Sequence, residues 1–177
     1  PAALFMAIVS TLVKIGAENS KSPGVIVKQL NNTLCKNNDA CMFATMFLGI
    51  LDVKTGEIKF VNAGHNPPVI MSGKEAVYLK SEKNIATAVI DDFDFKEESL
   101  VLSPGDGIFL YTDGVTEANN KKDVLFSDMR LLKLANKYKE LNTQGFIKKI
   151  DSEINDFAGT APQADDITML YIGYKFK

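Results

Sequence analysis

The spacing of apolar residues changes in blocks along this chain, and the order of the blocks limits its fold more than any single motif does. Up to residue 35, and again between 131 and 157, apolar residues recur at three- and four-residue intervals, as expected for helices. Between residues 43 and 111, and at 167–174, they form short alternating runs, as in strands. Because parallel βαβ units would alternate helix with strand, this order predicts an α+β fold with an antiparallel sheet or sandwich flanked by helices.

The first helix is predicted to start at Pro1, a residue that suits the first helical position, and to run to Ile15. Its apolar residues lie on nearly every side, which predicts a helix buried between other elements. The apolar stretch falls short of the roughly 20 residues that span a bilayer, and residues 1–15 lack the basic n-region of a signal peptide. A second helix is predicted from Ser22 and Pro23, so the two helices should form a hairpin.

Three β-hairpins are predicted within the strand block, each from two apolar runs that a turn-forming segment joins. The predicted pairs are 43–51 with 58–61, 69–71 with 76–79, and 100–102 with 108–111. The last of these would turn through the Ser-Pro-Gly-Asp sequence at 103–106. Residues 167–174 would add a final strand.

Composition excludes several kinds of function. With 20 Lys and Arg against 22 Asp and Glu, the net charge of -2 lacks the basic excess that nucleic-acid binding needs. Cys35 and Cys41, with the single histidine His65, match no zinc-ligand spacing, and reduced thiols in a cytosolic compartment are expected. The length of 177 residues is that of one domain.

Two carboxylate segments could carry chemistry. Asp113 follows an apolar strand directly, and Gly114 lets another group approach the backbone closely, which suits a metal ligand. Asp165 and Asp166 are predicted at the start of the last strand, where one side chain can face a site and the other can support it. Taken alone, the first segment is better explained as an ordinary turn and the second as a solvated strand start. His65, in a loop rich in Gly, Asn and Pro, is either an acid or base or a loop organiser.

Five segments stand in a fixed order along the chain: residues 1–6 (PAALFM), 42–46 (MFATM), 62–68 (NAGHNPP), 110–117 (LYTDGVTE) and 165–168 (DDIT). Their order and spacing resemble those of the SpoIIE-like, or RsbU-like, phosphatases. These enzymes are a bacterial branch of the PPM, or type-2C, metal-dependent protein serine/threonine phosphatases. The resemblance covers essentially the whole chain, and the five segments together are far more specific than any one of them.

The resemblance implies an antiparallel β-sandwich flanked by helix pairs, with two Mn²⁺ or Mg²⁺ ions held between the sheet edges. It assigns metal ligation to Asp113 and Asp165. Gly114 would permit the close approach, Asp166 would support the ligands, and Thr168 would lie on the strand behind them. Hard divalent cations prefer carboxylate oxygens, and two of them can activate a shared water for attack on a phosphoester without a protein nucleophile.

The chain also departs from the family pattern. The family carries further metal-binding aspartates in a Gly-Gly-Asp-x-x-Asp segment and an Asp-x-x-Gly-x-Gly segment, both upstream of the match that begins at Pro1. We therefore expect residues 1–177 to be an N-terminally truncated phosphatase domain that lacks its first strands and is weak or inactive alone. The unpaired sheet edge would favour a homodimer. His65 does not match the general acid proposed for the family and receives no catalytic role.

The resemblance implies a bacterial signalling enzyme that removes phosphate from serine or threonine of an anti-sigma-factor antagonist (STAS) protein. It would act in the cytoplasm, within a parent protein that another segment could tether to a membrane. The alternative is a non-catalytic, phosphatase-like binding or regulatory module. A plain α+β domain would require five ordered matches by chance. The polar loops at 119–123 and 159–164 lie near the two predicted ligands in sequence and are candidates for substrate contact.

Overall fold

The computed structural model describes residues 2–36 and 38–175, which divide into two compact units, each with its own antiparallel sheet. The first unit comprises residues 1–65 and 81–101, and the second comprises 66–80 and 102–177, each within the described ranges. Antiparallel sheets with helices confirm the predicted α+β class. The predicted helical role of Pro1 lies outside the described residues.

The first unit contains two helices and three strands. The helices are α1 (Ala2–Asn19) and α2 (Pro23–Cys35), and the strands are β1 (Met46–Leu51), β2 (Glu57–Ala63) and β5 (Glu98–Val101). The sheet has the order β1-β2-β5, and the predicted first hairpin is confirmed by the pairing of Leu51 with Ile58. Ser22 caps α2 by accepting a hydrogen bond from the Val25 amide at 3.2 Å, and Pro23 occupies the first turn.

The prediction that the first helix is buried is wrong. Val9 and Gly16 are its buried residues among those described, whereas Leu4 is 70% exposed. The helix packs against α2 by one face, so closely that a Cβ on Gly16 would lie 2.7 Å from Cγ2 of Ile26. Phe5, Leu12 and Val13 are partly buried beside Val9, whereas Met6, Ile8 and Ile15 are exposed like Leu4. By length and composition this helix also passes the test for a membrane span, so the predicted absence of one stays a prediction.

The second unit contains four strands and three helices. The strands are β3 (Val69–Met71), β4 (Ala76–Tyr78), β6 (Gly107–Tyr111) and β7 (Met169–Gly173), and the helices are α3 (Asp113–Thr116), α4 (Asp128–Tyr138) and α5 (Thr143–Ala158). The strand order is β4-β3-β6-β7, which confirms the predicted second hairpin. Helices α4 and α5 pack on the sheet around an aromatic core, where the rings of Phe109 and Phe146, and of Phe146 and Tyr171, lie 5.1 Å apart.

The third predicted hairpin is wrong, because β5 pairs with β2 whereas β6 pairs with β3 and β7. The turn at 103–106 forms, with the Ser103 amide donating to the Asp106 carboxylate at 3.0 Å. Its backbone is tied to the end of β7, since the Gly105 amide donates to Tyr174 and the Tyr174 amide donates to Asp106, each at 2.8 Å. Both edges of β6 are therefore occupied, and the turn joins two different sheets.

Candidate metal site

The structure brings the two predicted carboxylate segments together in the second unit. Strand β6 ends at Tyr111, and Asp113 begins the single helical turn α3. Asp165 and Asp166 lie in the loop between α5 and β7, because β7 begins only at Met169. The predicted position at a strand start is therefore wrong, and strand alternation does not orient these two side chains. Their placement depends on contacts with the segment around Asp113.

Gly114 makes the closest of these contacts. A Cβ at this buried position would lie 2.5 Å from the carbonyl oxygen of Asp166 and 3.3 Å from that of Asp165. Real side chains do not tolerate the first distance, so the main chain of the aspartate loop approaches Gly114 more closely than any other residue type would permit. This contact gives the glycine of the Asp-Gly pair the close-approach role that the sequence predicted.

Thr112 fastens the same loop with three hydrogen bonds. Its amide donates to the Thr168 carbonyl, its hydroxyl donates to the Asp166 carbonyl, and the hydroxyl accepts from the Thr168 amide, each at 3.0 Å. Thr112 was not among the residues predicted from the sequence. A threonine before an Asp-Gly pair gives no distinctive signal, because its bonds reach more than 50 positions along the chain.

The two carboxylates keep oxygen atoms available for a ligand. Asp113 Oδ1 accepts from the Gly114 amide at 3.0 Å, and Asp165 Oδ1 accepts from the Asp166 amide at 2.7 Å. Each group thus uses one oxygen to fix its orientation, and neither has an ion-pair partner among residues 2–36 and 38–175. Exposed, oriented carboxylates are suitable ligands for a hard divalent cation.

The described residues alone do not complete a metal site. They contain no group of three or more His, Cys, Asp or Glu side chains placed to hold one ion. Asp166 touches Gly114 through its main chain, and its amide orients Asp165. The chain therefore fits as the source of two carboxylate ligands, and further coordination must come from water or from other groups.

The buried Tyr111, at the end of β6, and the half-buried Tyr78, at the end of β4, both bond to Asp128. The Tyr111 hydroxyl donates to the Asp128 carboxylate at 3.3 Å, and the Tyr78 hydroxyl donates to the Asp128 carbonyl at 2.8 Å. Burial raises the pKa of Tyr78 to about 12 and also raises the pKa of Tyr111. Both hydroxyls stay protonated at neutral pH, so Tyr111 ties the end of β6, and Tyr78 ties the end of β4, to the start of α4.

His65 lies in the first unit, in the loop after β2. Its amide donates to Asn62 Oδ1 at 2.8 Å, a local bond that shapes this loop. Gly64, directly before it, has a φ of +73°, which explains the glycine at that position. The contact fits the interpretation of His65 as a loop organiser.

A small cavity of about 170 Å³ lies beside Gly114. Its walls include Asn119, Asn155 and Gln163, and the Oδ1 atom of Asn119 is buried without a hydrogen-bond partner among the described residues. An unpaired buried carbonyl oxygen favours a donor from outside, such as water or a ligand amide. The predicted substrate-contact loops at 119–123 and 159–164 both contribute to these walls.

Replacing Thr112 with valine is expected to lower the free energy of unfolding by about 1 kcal/mol, because two hydroxyl bonds to the aspartate loop are lost at nearly constant shape. Urea denaturation would measure the change. Thr168→Val is the matched control, since the Thr168 hydroxyl forms no hydrogen bond within the described ranges. Equal losses in both variants would contradict the assigned role.

Comparisons with known proteins show which family the chain is similar to. The family model described as "Stage II sporulation protein E (SpoIIE)" matches residues 1–175. "Phosphoserine phosphatase RsbU" of Bacillus subtilis (strain 168) is 30% identical, covering 99% of this chain and 52% of the relative. "Protein IcfG" of Synechocystis sp. is also 30% identical, covering 84% of this chain and 24% of the relative. The chain therefore spans about half of the length of the first of these curated relatives and about a quarter of the second.

A solved structure shares the fold. The SiaA-PP2C domain of Pseudomonas aeruginosa aligns with a TM-score of 0.84 at 21% identity, and the alignment covers 100% of this chain and 71% of the domain. At this identity the likeness supports the α+β phosphatase fold only. Assignment of the chain to a family rests on the family match and on the identity to RsbU.

Proposed function

Since the chain belongs to the SpoIIE family, in the RsbU-like branch of the PP2C-type serine phosphatases, we propose that it supplies part of a metal-dependent phosphatase site for phosphoserine or phosphothreonine in a protein. Asp113 and Asp165 are the proposed ligands of Mn²⁺ or Mg²⁺. Gly114 and Asp166 hold the two ligand segments together. The contact that carries the proposal is the approach of Asp166 to Gly114, which places the two carboxylate segments side by side.

The chemistry of the donors supports this assignment. A pair of bound divalent cations would supply an acidified water for attack on the phosphoester. The chain's own contribution is to orient the carboxylates, since a main-chain amide donates to one oxygen of each and leaves the others for coordination. Thr112 keeps the Asp165 loop in register with Asp113. No side-chain nucleophile is needed for direct attack by water.

We further propose that the substrate is a phosphorylated STAS-type protein and that the parent protein acts in the cytoplasm. Support comes from the 30% identity to a protein named phosphoserine phosphatase RsbU. Two carboxylates leave much of the charge of two cations uncompensated, so the 177-residue chain alone should be weak or inactive. The remaining ligands would come from a preceding segment of the parent protein.

The experiment compares the 177-residue chain with the parent protein that contains it, using p-nitrophenyl phosphate and a phosphoserine peptide with and without Mn²⁺. We expect Mn²⁺-dependent hydrolysis by the parent, inhibition by EDTA, and weak turnover by the chain alone. Robust turnover by the chain that is lost in Asp113→Asn would contradict the proposal that the chain alone has an incomplete metal site. A parent protein that binds phosphopeptide without hydrolysing it would favour the non-catalytic regulatory module.

A further inference from the structure

An open groove of about 1010 Å³ runs between α4 and α5 in the second unit. Its floor is apolar, with Phe126, Leu134 and Phe157 among the lining residues, and Met129 at its rim is 81% exposed. An apolar groove between two helices can accept a peptide segment that buries its own apolar side chains there. Neither the metal ligands nor their supports use this surface.

One wall of the groove is cationic. Arg130, Lys133 and Lys137 recur at three- and four-residue spacing on α4 and so share one face of that helix. The opposite wall on α5 carries Glu153 and Asp156. Lys137 pairs with Glu153 at 3.4 Å, whereas Arg130 and Lys133 have no ion-pair partner within the described ranges. These two cations remain available for acidic groups from outside.

Arg130 is held in a geometry suited to carboxylate binding. Its guanidinium carbon lies 4.1 Å from the ring centre of Phe157 and 5.7 Å from that of Phe126. The cation–π contacts restrain the guanidinium, and its N–H donors form no hydrogen bond within the described ranges, so they can bind a carboxylate. Because the side chain is already restrained, less conformational entropy is lost when a ligand binds.

The groove continues toward the proposed metal site. Phe157 also lines a second depression that includes Lys121 and Lys122, and Ala158 and Gly159 line both this depression and the small cavity beside Gly114. Five cationic and two acidic side chains line the groove and the depression together, in a chain whose net charge is -2. The groove and the depression together form a positive track, and the cavity beside Gly114 shares Ala158 and Gly159 with its near end.

We propose that this track is a docking site for an acidic, partly apolar segment of the phosphoprotein that flanks the phosphorylated residue. The proposal rests on the phosphatase function proposed above and adds the chemistry of the substrate. Apolar side chains of the segment lie in the groove between α4 and α5, beside the exposed Met129, and its carboxylates meet Arg130 and Lys133. Such contacts raise both the association rate and the specificity for the phosphoprotein over an isolated phosphoester.

Two synthetic phosphoserine peptides test the proposal in the parent protein. Glu and Leu flank the phosphoserine in one, and Gln replaces every Glu in the other. We expect a higher kcat/KM for the acidic peptide, and a fall of roughly tenfold in the acidic-to-neutral ratio in Arg130→Glu. Lys133→Glu should act similarly while leaving Arg130 and its cation–π contacts in place. Lys148→Glu, an exposed charge on α5 outside the groove lining, should keep the ratio.

A binding measurement tests the docking proposal independently of the phosphatase proposal. If neither peptide is hydrolysed, the phosphatase proposal fails, and fluorescence anisotropy of the unphosphorylated acidic peptide still measures docking in the same variants. Tighter binding of the acidic peptide that Arg130→Glu weakens would support the docking site. Any of three results would overturn it. These are equal affinity for both peptides, an equal loss of affinity in Lys148→Glu, and a dimer, seen by light scattering, that Arg130→Glu dissociates.

Discussion

Asp113→Asn is expected to reduce Mn²⁺ affinity and Mn²⁺-dependent hydrolysis of p-nitrophenyl phosphate in the parent protein by about 100-fold or more. The amide keeps the size of the side chain but removes the negative charge that a hard cation needs. Changes outside the direct ligands of metal sites typically cost 10–100-fold, so loss of a ligand should reach at least the upper end. Electron paramagnetic resonance of free Mn²⁺ would measure affinity independently of turnover.

Asp151→Asn is the matched control, because Asp151 is an exposed carboxylate on α5 with no hydrogen bond or ion pair within the described residues. It changes the net charge by the same amount and should leave Mn²⁺ affinity and turnover at their original values. Asp165→Asn should reproduce the loss seen at Asp113. Unchanged Mn²⁺ affinity in both ligand variants would remove these aspartates from the proposed site.

Local sequence signals predicted the parts of the fold that short-range physics determines. Ser22 and Pro23 marked the start of α2, and the two hairpins with close partners formed as predicted. The third hairpin failed because the partners of β6 come from distant parts of the chain, with Tyr111 pairing with Met169. A tight turn at 103–106 does not reveal whether its two strands belong to one sheet.

The same difference between local signals and long-range contacts applies to the predicted site. Asp113 and Gly114 could be selected because an acidic residue and a glycine follow an apolar strand. Their contact with the Asp165 loop could not be read from either segment alone, and only the pattern of five segments brought them together. Thr112 and Arg130 were not predicted, because each acts through a contact with a residue far along the chain. Thr112 contacts Asp166, and Arg130 contacts Phe157.

Gly114→Ala is expected to lower the free energy of unfolding by about 1–3 kcal/mol, the usual cost of forcing extra volume into a packed site. The Cβ would meet the Asp166 carbonyl oxygen at 2.5 Å, so one main chain must move. Helix propensity acts in the opposite direction, because alanine is favoured over glycine in a helix by up to about 1 kcal/mol. The steric cost should exceed the gain in helix propensity, because the opposing atom belongs to the backbone. Urea denaturation would measure the difference.

The same substitution should impair the site more than it impairs the fold. A displacement of about 1 Å between two catalytic groups can cost 100-fold in rate, so Mn²⁺-dependent turnover in the parent protein should fall by that order. Gly73→Ala is the control, because a Cβ there meets nothing within 4 Å and the position lies in the hairpin of β3 and β4. If Gly114→Ala kept both its stability and its Mn²⁺ affinity, the two ligand segments would not depend on this contact, and Asp113 and Asp165 would have to be held together by other means.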